Sequence, residues 1–497
     1  METRAGYGRA VWGARKRHKL TQADVAQKLG VSASFISKVE SGAIWPSPRV
    51  AAGLSKLVGV VAPGVDATPV AAEPGVGYGI HEQFDLGLTT TTKPDRFDSL
   101  LPIERSLGEE GSNTVQWDIP QTISELSYLT HNFFRYYGKF PPSIPKKLIR
   151  DFRPAKSSII LDNYSGSGTT LVEAKLEGYG SIGVDISPLG ALAGRVKTRH
   201  HNLKAVTNLA RRITEMVPTI NAQVSFDPKT LKALGKWFEE ETVQQLMNLK
   251  TCILELPVTP EREFISLAFV SIIRRVSRAY DGEVRPHINP SKKSRDVYEA
   301  FVRKIEDMLG RAEEFQRATD PRIESMSICA SNQNLSLLLS KSRLPVGLVI
   351  SHPPYLNCFD YAPVYKLEYL WAQDLDPTVA TKYENIRKSE TRCWPATDRV
   401  IYDSYFAQLK RAYEQVALVS ERGVRCCIVI GDCTISGKVV PVLDLLTESL
   451  EEVGFQLEKT VYRTTHYGTG KYAYASRADY HSDGAVKRDG VLIFKKR

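Results

Sequence analysis

The chain has 497 residues, enough for two to four domains, and its 42% hydrophobic and 25% charged residues are ordinary for a globular protein. There is no run of 18 or more apolar residues, and the basic N-terminal stretch "METRAGYGRAVWGARKRHKL" has no apolar core, which argues against a membrane span and a signal peptide. Seven scattered cysteines, none at C-x-x-C spacing, suggest neither a metal site nor a disulfide framework and fit a reducing cytoplasm. The net charge of +10 is uneven: residues 1–60 hold ten Lys/Arg against three Asp/Glu, residues 61–120 three against ten, and the remainder 53 against 43. A basic head, an acidic connector and a basic body suggest a polyanionic partner.

In the head, "TQADVAQKLGVSASFISKVESG" (residues 21–42) predicts two short helices. Thr21 caps the first, whose Val25, Ala26 and Leu29 recur at helical spacing before Gly30. Ser32 caps the second, with Phe35, Ile36 and Val39 on its buried side. Two helices across a glycine-containing turn form a helix-turn-helix, whose second helix can enter a DNA major groove. The stretch closely resembles the Cro/lambda-repressor type family. That resemblance implies a DNA-binding domain over residues 8–60, with Gln22 on a phosphate and Ser32, Ser34 and Lys38 facing DNA.

Residues 61–120 are rich in Pro, Gly, Ala, Thr and acidic residues and lack periodicity, which predicts a flexible acidic linker with order returning near Trp117.

The stretch "SSIILDNYSGSGTTLVEAKLEGYGSIGVDISPLG" (residues 157–190) follows. Ile159 to Leu161 form a buried strand, a glycine-rich loop leads to a helix starting near Thr169, and "SIGVDIS" is a second strand ending in Asp185. This β-loop-α-β unit is expected to bind a nucleotide-like ligand at its strand ends. No lysine follows Gly168, so a P-loop fails, and Leu171 replaces the third glycine of a dinucleotide fingerprint. A nucleoside without a pyrophosphate, such as S-adenosyl-L-methionine, fits better.

Further on, in "VGLVISHPPYLNCFDY" (residues 346–361), an apolar run ends in His352-Pro353-Pro354-Tyr355. Prolines cannot continue a central ladder, so the strand stops there and leaves an exposed aromatic beyond its carboxyl end. "LDNYSGSGTT" followed by "SHPPY" resembles the S-adenosylmethionine-dependent DNA amino-methyltransferases, which alkylate exocyclic nitrogens of adenine or cytosine. "THNFFRYYGKFPPSIPKKLI" (residues 130–149) resembles the segment that precedes the glycine loop in many of them, with Tyr136, Lys139, Phe140 and Pro142 near the cofactor's methionine.

The resemblance implies a doubly wound, Rossmann-like α/β domain over residues 121–200 and 323–497, interrupted by a helical insert at 201–322 that is a candidate for target recognition. It implies that Lys139, Phe140, Asp162, Gly166, Gly168 and Thr169 surround the cofactor, that Asp185 takes the ribose, and that Ile186 lines the adenine. Asn332, in "IESMSICASNQN", stands where many relatives have Asp and would contact the adenine amine. The catalytic set would be His352, Pro353, Pro354 and Tyr355. The Pro353 carbonyl and position 352 accept the N–H bonds of the target amine, while Tyr355 stacks on a flipped base.

The family's usual Asp, Asn or Ser is His at 352. A neutral imidazole accepts a hydrogen bond and a protonated one does not, so activity should fall on acidification. The downstream "YLNCFDYAPVYKLEYLW" is similar to members with a cytosine-type motif, which favours cytosine N4 over adenine N6. The implied setting is restriction-modification or phage defence, with double-stranded DNA and a cognate restriction nuclease as partners. An RNA methyltransferase, or a transcriptional regulator with a cofactor-sensing or inactive methyltransferase domain, are the alternatives.

Three expectations remain. In the insert, "RRVSRAYDGEVRPHINPSKKSR" (residues 274–295) offers Arg274, Arg275, Lys292, Lys293 and Arg295 as a DNA-facing run. "GVRCCIVIGD" predicts a buried strand in which Cys426 and Cys427 pack, and "FQLEKTVYRTTH" with "DGVLIFKK" predicts a terminal hairpin. The intervening "HYGTGKYAYASRADYHSDGAVKR" could read bases.

Overall fold

A computed structural model of the protein describes residues 4–29, 33–42, 48–60, 100–106, 114–119, 121, 124–224, 226, 228–340, 344–375, 383–463 and 489–497. They fall in two compact units, Met1–Thr91 and Thr92–Arg497. Among the described residues no helix is long and apolar enough to cross a membrane.

The first unit contains helices α1 (Arg4–Arg17), α2 (Gln22–Leu29), α3 (Ala33–Glu40) and α4 (Pro48–Val58). Thr21 caps α2 as its sequence predicts. Its hydroxyl accepts the Asp24 N–H at 3.1 Å, and the Asp24 carboxylate accepts the Thr21 N–H at 2.7 Å. Val25, Ala26, Ile36 and Val39 bury their side chains against Tyr7, Val11 and Ala14 of α1 and Leu54 and Val58 of α4. Two helices alone could not enclose that apolar face, so the flanking helices, which the motif does not reveal, complete the core. Beneath it a buried ion pair joins α1 to α3: Arg15 Nη2 donates to Glu40 Oε2 at 2.9 Å. Ser32 lies outside the described residues, and so do the side chains of Ser34 and Phe35.

The second unit is built on a nine-stranded sheet. Its strands are β1 (Ile103–Ser106), β2 (Thr114–Asp118), β3 (Ile159–Asp162), β4 (Gly180–Asp185), β5 (Ser325–Cys329), β6 (Val346–Ser351), β7 (Arg425–Gly431), β10 (Phe455–Arg463) and β11 (Asp489–Lys496). A two-stranded ribbon of β8 (Cys433–Ile435) and β9 (Lys438–Val440) pairs separately. The sheet order is β1-β2-β10-β11-β7-β6-β3-β4-β5. Strands β3 to β7 run parallel, while β11 is antiparallel to both neighbours, β7 and β10. The chain therefore winds from β3 through β4 to β5, returns to β6, and continues outward in the other direction. The crevice between the carboxyl ends of β3 and β6 is the switch point at which such sheets bind ligands.

The two sheet faces follow the period-2 rule for strands. Cys426 packs with Leu161, Val184, Val349 and Leu409 on one face, and Cys427 packs with Ile160, Leu348, Ile350 and Leu148 on the other. Both cysteines are fully buried, as expected for packing residues. The anticipated terminal hairpin is β10 paired with β11, while residues 464–488 between them, including the candidate base-reading loop, lie outside the described residues.

Two expectations are corrected. Within the stretch assigned to the linker by composition, residues 103–106 and 114–118 form the antiparallel strands β1 and β2, and β2 adds to β10 in parallel. Trp117 is buried there, and its indole N–H donates to Glu104 at 3.0 Å. Among the described residues the insert holds five α-helices between Leu203 and Ala318, and they share a core with the rest of the unit rather than forming a subdomain. Phe264, Phe269 and Phe301 share one cluster with Phe133, Leu189, Tyr365 and Trp371, which belong to the segments around the sheet.

Candidate active site

The carboxyl ends of β3, β4 and β6 open into a cleft. Of the predicted cofactor residues, Lys139, Phe140, Gly166, Thr169, Asp185, Ile186 and Asn332 line it, and so do His352 and Pro354 of the catalytic motif. Residues some 200 positions apart in the chain thus meet where the sheet topology requires.

The loop after β3 is held by its own side chains. Gly168 caps the helix Thr169–Leu176 at φ 79°, a conformation that side chains resist, and a Cβ there would lie 2.9 Å from the Gly194 Cα. Gly166 has φ 48°, and its Cβ would meet the Tyr136 ring at 2.8 Å. Lys197, fully buried, donates to the Ser167 carbonyl and hydroxyl, both at 2.9 Å, and burial lowers its pKa well below the usual lysine value. Nothing in the sequence marks Lys197, which reads as one charge in a basic run.

The two aspartates have different parts. Asp185 accepts the Gly166 and Ser187 N–H groups, each at 2.8 Å, while its side chain remains on the wall of the cleft. Burial raises its pKa and the two N–H bonds oppose the rise. Asp162 does not line the cleft. It is buried beneath the loop, where it accepts the Thr170 hydroxyl at 2.5 Å and the Tyr164 N–H at 3.1 Å, and burial pushes its pKa up to about 7. It shapes the loop rather than touching a ligand.

On the opposite wall, Lys139 donates to the His131 carbonyl at 3.0 Å, and burial pushes its pKa down to about 8. His131 Nε2 lies 2.7 Å from Glu173 Oε1, which also accepts the Tyr128 hydroxyl at 2.6 Å. This buried network ties the segment around Lys139 to the helix that follows the glycine loop. Tyr136, on the same segment, stacks on Tyr361 and Tyr365 with centroids 6.1 and 5.3 Å apart.

His352 sits between two rings, edge-on to Phe140 at 4.9 Å and to Tyr355 at 5.4 Å. Ser351 is buried and donates to Asn163 Oδ1 at 2.6 Å, so it braces β6 against β3. Pro353 is buried, and the Pro354 carbonyl accepts the Tyr405 hydroxyl at 2.7 Å. Tyr355 is not the exposed aromatic suggested by the motif. Its ring is 9% exposed, and its hydroxyl accepts from Arg463 at 2.7 Å and donates to Asp489 at 3.2 Å. The ends of β10 and β11 draw it into the core. Asn332 donates to the Asn163 carbonyl at 3.2 Å and lines the cleft on the β5 side.

The candidate DNA-facing run is also corrected in part. Arg274 is buried, donates to the Glu283 and Val284 carbonyls at 3.1 and 3.0 Å, and pairs with Glu368 at 3.3 Å. Lys292 donates to the Arg274 and Ala279 carbonyls at 3.1 and 2.8 Å and to Asp281 at 2.7 Å. Both fold the loop onto the helix, whereas Arg275, Lys293 and Arg295 are exposed. In the first unit, Gln22 is turned inward and donates to Glu40 at 2.7 Å, while Lys38 is exposed.

Tyr361, Tyr369, Glu390, Thr391 and Gln408 also line the cleft. The two tyrosines fall in the stretch similar to a cytosine-type motif, whereas Glu390, Thr391 and Gln408 carry no sequence pattern, and only the fold gathers them.

Residues 14–63 match the helix-turn-helix family model. The chain is 26% identical over 321 residues to the Type II methyltransferase M.BsoBI of Geobacillus stearothermophilus, covering 58% of this chain and 60% of that protein. It is 26% identical over 263 residues to the Type II methyltransferase M.MvaI of Kocuria varians, covering 50% and 58%. A shorter match, 32% identical over 130 residues, links it to the Type II methyltransferase M.MjaII of Methanocaldococcus jannaschii, covering 25% of this chain and 24% of that protein. The chain thus spans about 60% of the length of the first two relatives. The solved structure of TrmN from Thermus thermophilus aligns over 73% of this chain and 50% of its own at 10% identity, with a TM-score of 0.27, an overlay too loose to inform the site. The protein is a relative of the Type II methyltransferases that carries a helix-turn-helix domain at its N-terminal end.

Proposed function

We propose that the protein methylates DNA on the exocyclic amine of a base, preferentially cytosine N4, using S-adenosyl-L-methionine, in a restriction-modification or defence setting. The observation that carries this reading is the meeting, in one cleft at the sheet's switch point, of the glycine loop and Asp185 with His352 and Pro354. Gly166 brings bare backbone to the cleft wall, and Asp185 beside it is an acceptor suited to ribose hydroxyls, so the residues present fit the cofactor.

When bound, the cofactor supplies an electrophilic sulfonium methyl. The chain has to orient the amine, whose lone pair is delocalised into the base. His352 and the Pro353 carbonyl accept its two N–H bonds, which favours the pyramidal, more nucleophilic nitrogen. Gly166 and Asp185 would hold the cofactor so that its methyl faces that nitrogen, and the methylated amine would release its surplus proton to solvent. Lys139 balances the cofactor's carboxylate. Tyr355 supports the turn from behind through Arg463 and Asp489 rather than offering a free face.

The helix-turn-helix brings a second DNA contact, through Lys38 and the exposed polar face of α3, which raises the local concentration of DNA at the catalytic unit. The exposed Arg275, Lys293 and Arg295 lie on the insert and suit phosphate contacts. The test is transfer of labelled methyl to double-stranded DNA against RNA. Incorporation into DNA, lost in His352→Ala, supports the reading, and transfer to RNA alone overturns it.

A further inference from the structure

Two buried carboxylates flank the turn that follows the catalytic motif, and they differ in one respect. Asp360 is saturated: it accepts the Cys393 N–H at 3.1 Å and the Trp394 N–H at 3.2 Å, and it pairs with Arg392 at 3.2 Å. Glu390 is only half satisfied. Its Oε2 accepts the Tyr361 and Ala362 N–H groups, both at 2.9 Å, at the start of the short helix Tyr361–Val364. Its Oε1 is buried and has no hydrogen-bond partner among the described residues. The residue is 6% exposed and forms part of the cleft wall, beside Tyr361, Tyr369 and Thr391.

A buried acceptor left without a donor costs about 1–3 kcal/mol, so folds retain few of them. The backbone pair fixes this carboxylate by one oxygen and leaves the other for a different donor. Burial, with the Asp360 charge nearby, pushes its pKa up to about 7 against the opposing pull of the Ala362 and Tyr361 N–H groups and of Arg387.

We infer that Glu390 is a ligand-binding residue of the cleft, whose Oε1 accepts an N–H or O–H of a bound nucleoside. That donor is either the cofactor's adenosine or the target base. The inference rests on the cleft being the methyl-transfer site and adds a second carboxylate to Asp185, drawn from a segment that the recognised motifs do not include.

The variant to make is Glu390→Gln. The two backbone N–H groups still find an acceptor in the amide oxygen, so the turn keeps its anchor, and the amide NH2 is forced to point where the ligand's donor would be. Glu390→Asp, which retracts the carboxylate by one methylene, is the second variant should the first fail to fold. Affinity for S-adenosylhomocysteine is measured by calorimetry, and KM and kcat for double-stranded DNA by methyl transfer, with thermal unfolding as the control for folding. A tenfold or greater loss of S-adenosylhomocysteine affinity supports the inference with adenosine as the donor. Unchanged affinity with a tenfold or greater loss of kcat/KM for DNA supports it with the base as the donor. If neither changes, the inference is overturned. Should the unmodified protein transfer no methyl to DNA, the functional reading falls by itself, and unchanged S-adenosylhomocysteine affinity in the variants then overturns the role of Glu390.

Discussion

Arg463, at the end of β10, donates to the hydroxyl of Tyr355, the last residue of the His-Pro-Pro-Tyr turn, at 2.7 Å. Asp489 at the start of β11 completes the group by pairing with Arg463 at 2.5 Å. The turn at the switch point is therefore anchored to the terminal hairpin, on the far side of β7. Tyr355→Phe keeps the ring and removes the hydroxyl between two buried charges. A stability loss of about 1–3 kcal/mol is expected, with methyl transfer retained. Denaturant unfolding and kcat, measured on the same preparation, check it. Tyr355→Ala would instead open a cavity, and its loss of activity would not separate catalysis from folding.

On the proposed reading the side chain at position 352 is asked only to accept a hydrogen bond. His352→Ser, which restores an acceptor common in the family, is expected to keep transfer within about tenfold of the parent. His352→Ala should lose on the order of 10²-fold in kcat, the scale of removing one preorganised hydrogen-bonding group. Single-turnover rates at saturating cofactor and DNA distinguish the two.

On the proposed reading Lys139 would carry the pH dependence of cofactor binding. Burial pushes its pKa down to about 8, so an ammonium placed to meet the cofactor's carboxylate is charged below that pH and neutral above it. Affinity for S-adenosylhomocysteine should therefore weaken as pH rises from 7 to 9. Lys139→Met should be weaker at pH 7 and lack the decline. Calorimetry across that range is the measurement.

Asp162 makes an opposite kind of prediction, about stability. Its pKa is raised to about 7 from an ordinary value of 3.8, so between those limits the folded protein holds a proton that the unfolded chain releases. Its contribution is complete below about pH 4 and is lost as pH rises to about 7. In Asp162→Asn that loss disappears. The stability of the variant relative to the parent should then improve by a few kcal/mol between pH 4 and pH 8, on the scale of about 1.4 kcal/mol per pKa unit. Urea unfolding of both proteins at the two pH values reads the difference.

In the helix-turn-helix unit, Glu40 neutralises buried Arg15 and accepts from Gln22. Glu40→Ala should cost about 3–5 kcal/mol and unfold the unit, because it leaves a buried guanidinium without its partner. Lys38→Ala should leave the fold intact and lower the salt dependence of DNA binding by about one counterion. Circular dichroism with binding titrations at several salt concentrations separates these effects.

What the sequence disclosed was local. The cap at Thr21, the helix starting at Thr169, the strand ending at Asp185 and the stop at Pro353 each follow from a few adjacent residues, and the structure has all four. The features that escaped depend on distant partners. Arg274 reads as a surface charge until Val364 and Glu368, some 90 residues on, take its guanidinium inside. Tyr355 reads as exposed until Arg463 arrives from β10. The hairpin β1–β2 looks like linker because its two strands are four and five residues long within an acidic, proline-containing stretch, and only pairing with β10 stabilises them. Glu390 has no motif at all, and its role depends on which of its oxygens the fold leaves unmatched.

The most direct test of the central claim is the identity of the methylated nucleoside. Double-stranded DNA incubated with the protein and isotopically labelled S-adenosyl-L-methionine is digested and resolved by mass spectrometry. The account predicts labelled N4-methylcytosine, abolished by His352→Ala and retained in Tyr355→Phe. Label on N6-methyladenine would keep the amine chemistry and refute the choice of base, and absence of label from every DNA nucleoside would contradict the account.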